Sequence, residues 1–279
     1  MQVGASSNQI LSGLSSADVS LLMPLGPTEL AQGESILEAG EAIERVFFPQ
    51  SGVISLITKT QDGNAVEIGM IGSEGLLGSS ALAATGSAIN DAVVQVSGTA
   101  YAVPRTRFEI ALAQSSSLRQ RAARFDCLLL AQAQQAAACN ASHSAQARVC
   151  RWLLELSDRC NSDVVPLTQN FLAHMVGVQR TTVTLVASRL QALGIIRCRR
   201  GKVRILDAAK LEHSACECYS RVKKLREKLA GIPALEQPFP TPPLPLRAER
   251  VGNGGAPAQV GKCRDDRRSS PWLHQGEKC

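Results

Sequence analysis

The stretch "HMVGVQRTTVTLVASRL", residues 174–190, gathers hydrogen-bonding side chains at one end of a helix-periodic segment. Val183, Val186 and Leu190 recur at intervals of three and four and predict a buried helix face. That leaves Arg180, Thr181, Thr182, Thr184 and Arg189 for the other faces. An arginine at a helix N-terminus can aim its planar fork at paired acceptors such as guanine O6 and N7. Gln179 can pair with adenine or donate to a phosphate, and a threonine offers a hydroxyl for phosphate and a methyl for thymine. Thr168, opening "TQNFLAHMV", suits an N-cap whose neighbouring backbone N–H groups can meet a phosphate. Downstream, Arg197, Arg199, Arg200 and Lys202 surround Gly201 in "GIIRCRRGKVRILD", where cations would make sequence-blind phosphate contacts. This chemistry is non-covalent recognition of a polyanion. No nucleophile–base pair or paired-carboxylate motif accompanies it, so neither catalysis nor a cofactor is expected.

The charge distribution points the same way. The 279 residues carry 30 Lys/Arg and 24 Asp/Glu, a net +6. Residues 1–144 hold 7 cations against 12 anions, whereas residues 145–231 hold 16 against 7. The excess of nine positive charges therefore falls on the segment that contains the arginine–threonine helix, and a polyanion is bound from that segment alone. Aromatic residues are only 4% of the chain, too few for a surface that stacks single-stranded bases, so the expected partner is double-stranded DNA.

These side chains need elements to hold them. Around the arginine helix, Ala173 supplies the small crossing residue, Gly177 the turn four residues on, and Val178 the plug at the corner, the spacing of a helix-turn-helix followed by a β wing. From Thr28 to Pro104 the pattern is short strands with glycine turns. Val53, Leu56, Val66 and Ile68 alternate about Asp62-Gly63, and "DAVVQVSGTAYAVP" predicts a further strand pair about Gly98. Strands of this kind predict a small barrel or jelly roll. Between the two regions, Leu118, Ala122, Phe125, Leu129 and Ala136 step along one helix face in an alanine-rich segment with little charge, which suits a helix that meets its copy in a homodimer. The expected organisation is a roll over 1–115, a dimerisation helix over 116–143, a winged helix-turn-helix over 144–231 and a proline-rich disordered tail over 232–279. No apolar run is long enough to span a bilayer and no leader is evident, so a cytoplasmic protein without a membrane partner is expected.

A strand-rich roll, a long alanine-rich helix and then "LTQNFLAHMVGVQRTTVTLVASRLQALGIIRCRRGKVRILD" resembles the cyclic-AMP receptor/fumarate–nitrate regulator (Crp/Fnr) superfamily of bacterial transcription factors. The resemblance covers about residues 25–230 and is most specific over 166–207. It implies an α+β chain with a cupin-like, cyclic-nucleotide-binding-like antiparallel β-roll, a dimerising helix and a winged helix-turn-helix on a palindromic operator. RNA polymerase is an implied partner, and Arg180 matches the family's base-reading arginine. Thr181 stands where the family has an acidic residue and Leu185 where it has a second reading arginine, so a different operator is expected. The cyclic-nucleotide cassette is degenerate. Gly78-Ser79 aligns with its Gly-Glu, and Asn90-Asp91 with its Arg-Ser or Arg-Thr pair. An aspartate at the phosphate position, with no arginine to neutralise it, predicts that cyclic AMP does not bind and leaves the effector unknown.

The family's iron–sulfur branch needs cysteines near the N-terminus, and the first here is Cys127. His143 and His174 stand alone on helices. Cys216 and Cys218, two apart on a helix, would point to different faces, so no metal is expected. The competing reading is a small-ligand sensor whose basic end docks a protein or a membrane; the filled helix-turn-helix positions count against it.

Overall fold

The computed structural model describes residues 6–61, 65–79 and 86–232, all within one compact unit. The turn at Asp62-Gly63 and the tail beyond Ile232 lie outside the described residues. The chain opens with two short helices, α1 (Gln9–Ser12) and α2 (Ser16–Leu22). Ser15 caps α2 by accepting from the Asp18 amide at 3.1 Å while its hydroxyl donates to the Asp18 carboxylate at 2.7 Å.

Among the described residues seven strands follow: β1 (Gly26–Leu30), β2 (Ser35–Leu37), β3 (Arg45–Pro49), β4 (Val53–Lys59), β5 (Ala65–Ile71), β6 (Asp91–Val96) and β7 (Gly98–Pro104). They form two antiparallel sheets, ordered β1-β7-β3 and β2-β6-β4-β5. The expected pairing of β6 with β7 about Gly98 does not occur, because the chain changes sheets there. A Cβ on Gly98 would run into the Ser51 backbone, so only glycine lets the crossing chain pass that close.

Aliphatic residues of both sheets, with Phe48 packed edge-on against Phe108 at 6.1 Å, form a first core. Two helices close it, α3 (Arg105–Gln114) and the 27-residue α4 (Ser116–Ser142). After a two-residue break come α5 (Ala145–Cys160), β8 (Val164–Pro166), α6 (Gln169–Val176), α7 (Arg180–Ala192), β9 (Ile196–Arg199), β10 (Lys202–Ile205), α8 (Ala208–Ser214) and α9 (Cys218–Ala230). The three late strands pair antiparallel in the order β8-β10-β9.

A second core joins these helices to Val53, Ile57 and Met70 on the outer face of β4 and β5. The sheet is thus covered on both faces, and strict alternation fails along it. Val53, Ile54 and Ser55 are buried in succession, while Val66 and Ile68 are only half-buried and Glu67 between them is buried. Glu67 accepts hydrogen bonds from Ser55 Oγ at 2.5 Å and from Trp152 Nε1 of α5 at 2.8 Å. Arg159 on α5, its side chain 1% exposed, pairs with Glu74 at 2.8 Å and donates to Gln132 of α4 at 3.2 Å. Ionisable side chains buried this deeply persist only with partners, and each of these has one.

Leu118, Ala122, Phe125 and Ala136 are buried and Leu129 is half-buried, all within the chain. Phe125 lies directly against Gly75, where no side chain would fit beside its ring. The apolar stripe assigned to a partner helix therefore serves the protomer's own core. The exposed stripe of α4 runs through Arg119, Ala123, Cys127, Leu130, Gln134, Ala137 and Ala141. The run Leu128-Leu129-Leu130 feeds both sides of the helix, and periodicity alone gave no reason to prefer the second.

Candidate nucleic-acid interface

Thr168 caps α6, its hydroxyl accepting from the Phe171 amide at 3.2 Å. Gly177 ends that helix at φ 66°, a left-handed conformation that glycine adopts without strain. The turn lies against the roll, since a Cβ on Gly177 would come within 3.1 Å of Val66. Val178 is half-buried at the corner and its amide donates back to the Ala173 carbonyl at 3.0 Å. On α7, Val183, Val186 and Leu190 are buried as their spacing predicts.

Arg180, Thr181, Thr184 and Arg189 are exposed, as is Gln179 at the N-cap, while Thr182 is half-buried. The Gln179 side chain makes no capping bond, so it is left for a ligand along with the Arg180 and Thr181 amides, whereas the Thr182 amide donates to the Gln179 carbonyl at 3.0 Å. Thr184 is less free than its position suggests. Its hydroxyl shares its one hydrogen between the Arg180 carbonyl at 3.0 Å and Gln169 Oε1 at 2.9 Å. Gln169, not singled out from the sequence, thereby becomes part of the surface. So does Leu185, 72% exposed beside Thr181 and Arg189, where its aliphatic end is open to a partner.

The wing turns through Arg200 at φ 45° and Gly201 at φ 72°, a two-residue hairpin with both residues left-handed. Asparagine or glycine normally fills the first of these positions; here an arginine does. Arg180, Arg199, Arg200 and Lys202 converge with Thr168 and Gln169 on an open groove of about 330 Å³. Among the described residues none of Arg180, Arg189, Arg197, Arg199, Arg200 or Lys202 forms an ion pair. Among the other cations of the segment, Arg151 is paired with Glu155 at 2.8 Å, Arg159 with Glu74 at 2.8 Å, and Lys223 and Arg226 with Asp158 at 3.7 and 3.1 Å. The cations of the groove and wing are thus uncompensated, whereas Arg151, Arg159, Lys223 and Arg226 are held in structural ion pairs.

In the roll, Asp91 is not an unbalanced charge facing a ligand. It pairs with Lys59 at 2.7 Å and accepts from the Ala39 amide at 2.9 Å; the hydrogen bond from Lys59 holds its carboxyl below the ordinary range. Asn90 donates to Thr58 at 3.0 Å, and Ser79 donates to Asp126 of α4 at 2.8 Å, where burial raises the Asp126 carboxyl. The cavity beside Gly78, Ser79 and Asn90 is about 60 Å³, lined by aliphatic residues such as Ile43, Leu56 and Ile71, with no lysine or arginine among its described lining. The intervening sequence 80–85, "SALAAT", has no cation either.

The expectation for the cysteines needs correction. Cys216 lies in the turn between α8 and α9, and only Cys218 begins a helix. The two thiols accordingly come together, beside Cys139 and His143. His143 is not solitary, whereas His174 is exposed on α6.

An antiparallel roll, a long connecting helix and a winged helix-turn-helix with an uncompensated basic groove define a class of one-chain sensor–DNA-binding architectures. Family models locate both halves, a cyclic nucleotide-binding domain over residues 27–115 and a Crp-like helix-turn-helix domain over 147–214. The chain belongs to the Crp/Fnr superfamily of transcription regulators. Solved structures share the fold. FixK2 from Bradyrhizobium japonicum has a TM-score of 0.61 at 17% identity, over 70% of this chain and 98% of that one. CLP from Xanthomonas campestris, described as a c-di-GMP-responsive global regulator, has 0.58 at 18%, over 68% and 99%. TTHA1359, a CRP/FNR-family transcriptional regulator from Thermus thermophilus, has 0.55 at 25%, over 72% and 98%. No curated protein matches the chain. No described helix is long and apolar enough to cross a membrane.

Proposed function

We propose that the protein is a cytoplasmic, homodimeric regulator that reads a palindromic operator in double-stranded DNA, without enzymatic activity, and whose sensor roll responds to something other than cyclic AMP. The observation that carries this reading is the set of unpaired cations around the groove, with Arg180 at the exposed start of α7 and Arg199, Arg200 and Lys202 on the wing. Arg180 is the base reader, with Gln179 and Thr181 beside it; Leu185 offers an apolar contact for a thymine methyl. Thr168, Thr182, Thr184, Arg189 and the wing cations fix register on the phosphates. RNA polymerase follows as a partner from the family alone. The aliphatic cavity and the absence of a cation along the cassette support the exclusion of cyclic nucleotides, and calorimetry with cyclic AMP and cyclic GMP is expected to show no micromolar binding.

The test is an anisotropy series on operator and scrambled duplexes at several salt concentrations, the operator being selected from random DNA. Arg180→Ala is expected to lose about 1–3 kcal/mol per half-site on the operator and to relax base preference at one position. Lys202→Ala is expected to weaken both duplexes alike and lower the salt slope by about one unit per contact removed. Equal losses on both duplexes for Arg180→Ala would make the helix a phosphate clamp instead.

A further inference from the structure

Three cysteines and a histidine far apart in the sequence meet where the long helix ends. Cys139 and His143 are one turn apart at the end of α4, and so share a face. Cys216 sits in the turn after α8, and Cys218 is the first residue of α9. Their ligand atoms all lie within 4.8 Å of one another. Cys139 Sγ is 3.5 Å from Cys216 Sγ, and Cys218 Sγ is 3.4 Å from His143 Nδ1. Among the described residues no other group of three or more His, Cys, Asp or Glu side chains converges in this way.

We propose that these four side chains form a Cys3His site for a single zinc-class divalent ion, which clamps α9 to the end of α4. A tetrahedral zinc with bonds of about 2.3 Å to sulfur and 2.0 Å to nitrogen sets its ligand atoms about 3.5–3.8 Å apart; the Cys139–Cys216 and Cys218–His143 separations are already close to that, and the whole group, within 4.8 Å, needs only a small contraction. A multi-iron cluster spreads its protein ligands over two or more metals, so that ligands on different irons lie farther apart than this group allows. The donor set, soft thiolates with one imidazole, is the set zinc selects.

The surroundings fit the same ion. His143 turns Nδ1 toward the thiols and Nε2 toward Glu217 Oε2, 3.4 Å away, the carboxylate–histidine pairing that fixes the ring and the tautomer of a metal ligand. Gln135 Nε2 donates to Cys218 Sγ at 3.0 Å, a hydrogen bond that favours the thiolate. Binding displaces one proton from each thiol to solvent and needs no oxidant. The ion bridges residues on either side of the His143–Ser144 break from which α5 departs, so it ties the last helix of the winged-helix segment to the long helix without touching the groove.

The experiment uses the full chain, purified under reducing conditions and loaded with Zn2+ or Co2+ alone. The expected result is one tightly held equivalent per chain by elemental analysis, with thiolate-to-cobalt charge transfer and the intense visible bands of tetrahedral cobalt. Cys216→Ser combined with Cys218→Ser should lose the equivalent and both spectral signatures. Cys263→Ser with Cys279→Ser, and Cys127→Ser, should keep them. Glu217→Gln, which leaves every ligand in place, should weaken zinc binding by about tenfold. A wild-type chain that holds no Zn2+ against a weak chelator, a Cys139–Cys216 disulfide in its place, or cobalt spectra that survive in the Cys216/Cys218 double variant would each overturn the site. All of these readouts are independent of DNA.

Discussion

Arg200 shows how a single residue can be at odds with its own backbone. It stands at φ 45° in a hairpin turn, a conformation in which a side chain with a Cβ costs about 1–2 kcal/mol and asparagine much less. An exposed arginine with no ion pair gains nothing locally to offset that cost, so its use lies with a partner, and stability and function pull apart there. Arg200→Asn is expected to raise the unfolding free energy by about 1 kcal/mol in urea titrations while lowering affinity for every DNA sequence alike. A variant that is both less stable and unchanged on DNA would remove the argument. The strain was invisible in the sequence, where "RRGK" shows only a glycine turn among cations. Gln169 went unnoticed, and Leu185 counted only as a missing arginine, for a related reason: neither type signals DNA by itself, and each gains its role from the neighbours the fold supplies.

At the scale of elements, α4 carries two stripes, and the larger apolar side chains belong to the inner one. The outer stripe is alanine, glutamine and a thiol around Leu130, 59% exposed, and its small side chains would let a second copy of the helix approach closely. The dimer is therefore argued from this face. Sedimentation at micromolar concentration is expected to give twice the chain mass, and Leu130→Glu to give a folded monomer with weakened operator binding. Phe125→Ala is expected to act differently, costing about 3–5 kcal/mol of protomer stability through the cavity left at Gly75. A folded Leu130→Glu variant that remains dimeric would place the interface elsewhere.

For the molecule as a whole, the decisive feature is that the winged-helix segment packs on the roll through buried polar groups. Burial, opposed by the Ser55 hydrogen bond, pushes the Glu67 carboxyl up to about 8 from an ordinary 4.5. A carboxyl raised on folding binds its proton more tightly in the folded chain, so its contribution is complete below about pH 4.5 and is lost as the pH rises through about 8. Glu67→Gln can still accept from Trp152 and bond Ser55, and does not titrate. The stability of the wild type relative to this variant is expected to fall between about pH 5 and 8, by at most about 1.4 kcal/mol per unit, and to level off above. Parallel curves for the two proteins would show that Glu67 does not titrate in this range.

Local pattern was enough for the elements. Helix periods, cap residues, turn glycines and the uneven charge identified the roll, the long helix, the helix-turn-helix and its arginine, because each depends on residues close together in the chain. What lay beyond it was every feature set by two distant segments sharing one surface. Covering the outer face of β4 and β5 reversed the expected burial of Val66 and Glu67, the crossing at Gly98 put β6 and β7 in different sheets, and the core of the roll took the Phe125 side of α4. The same effect sorted the cations of residues 145–231 into paired and free, since an ion pair such as Arg159 with Glu74 joins residues 85 apart. It also brought Cys139 and His143 to Cys216 and Cys218. Side-chain spacing along one helix says nothing of a thiol that leaves the helix for the turn before it, and only the packing of α9 on α4 made four scattered donors into neighbours.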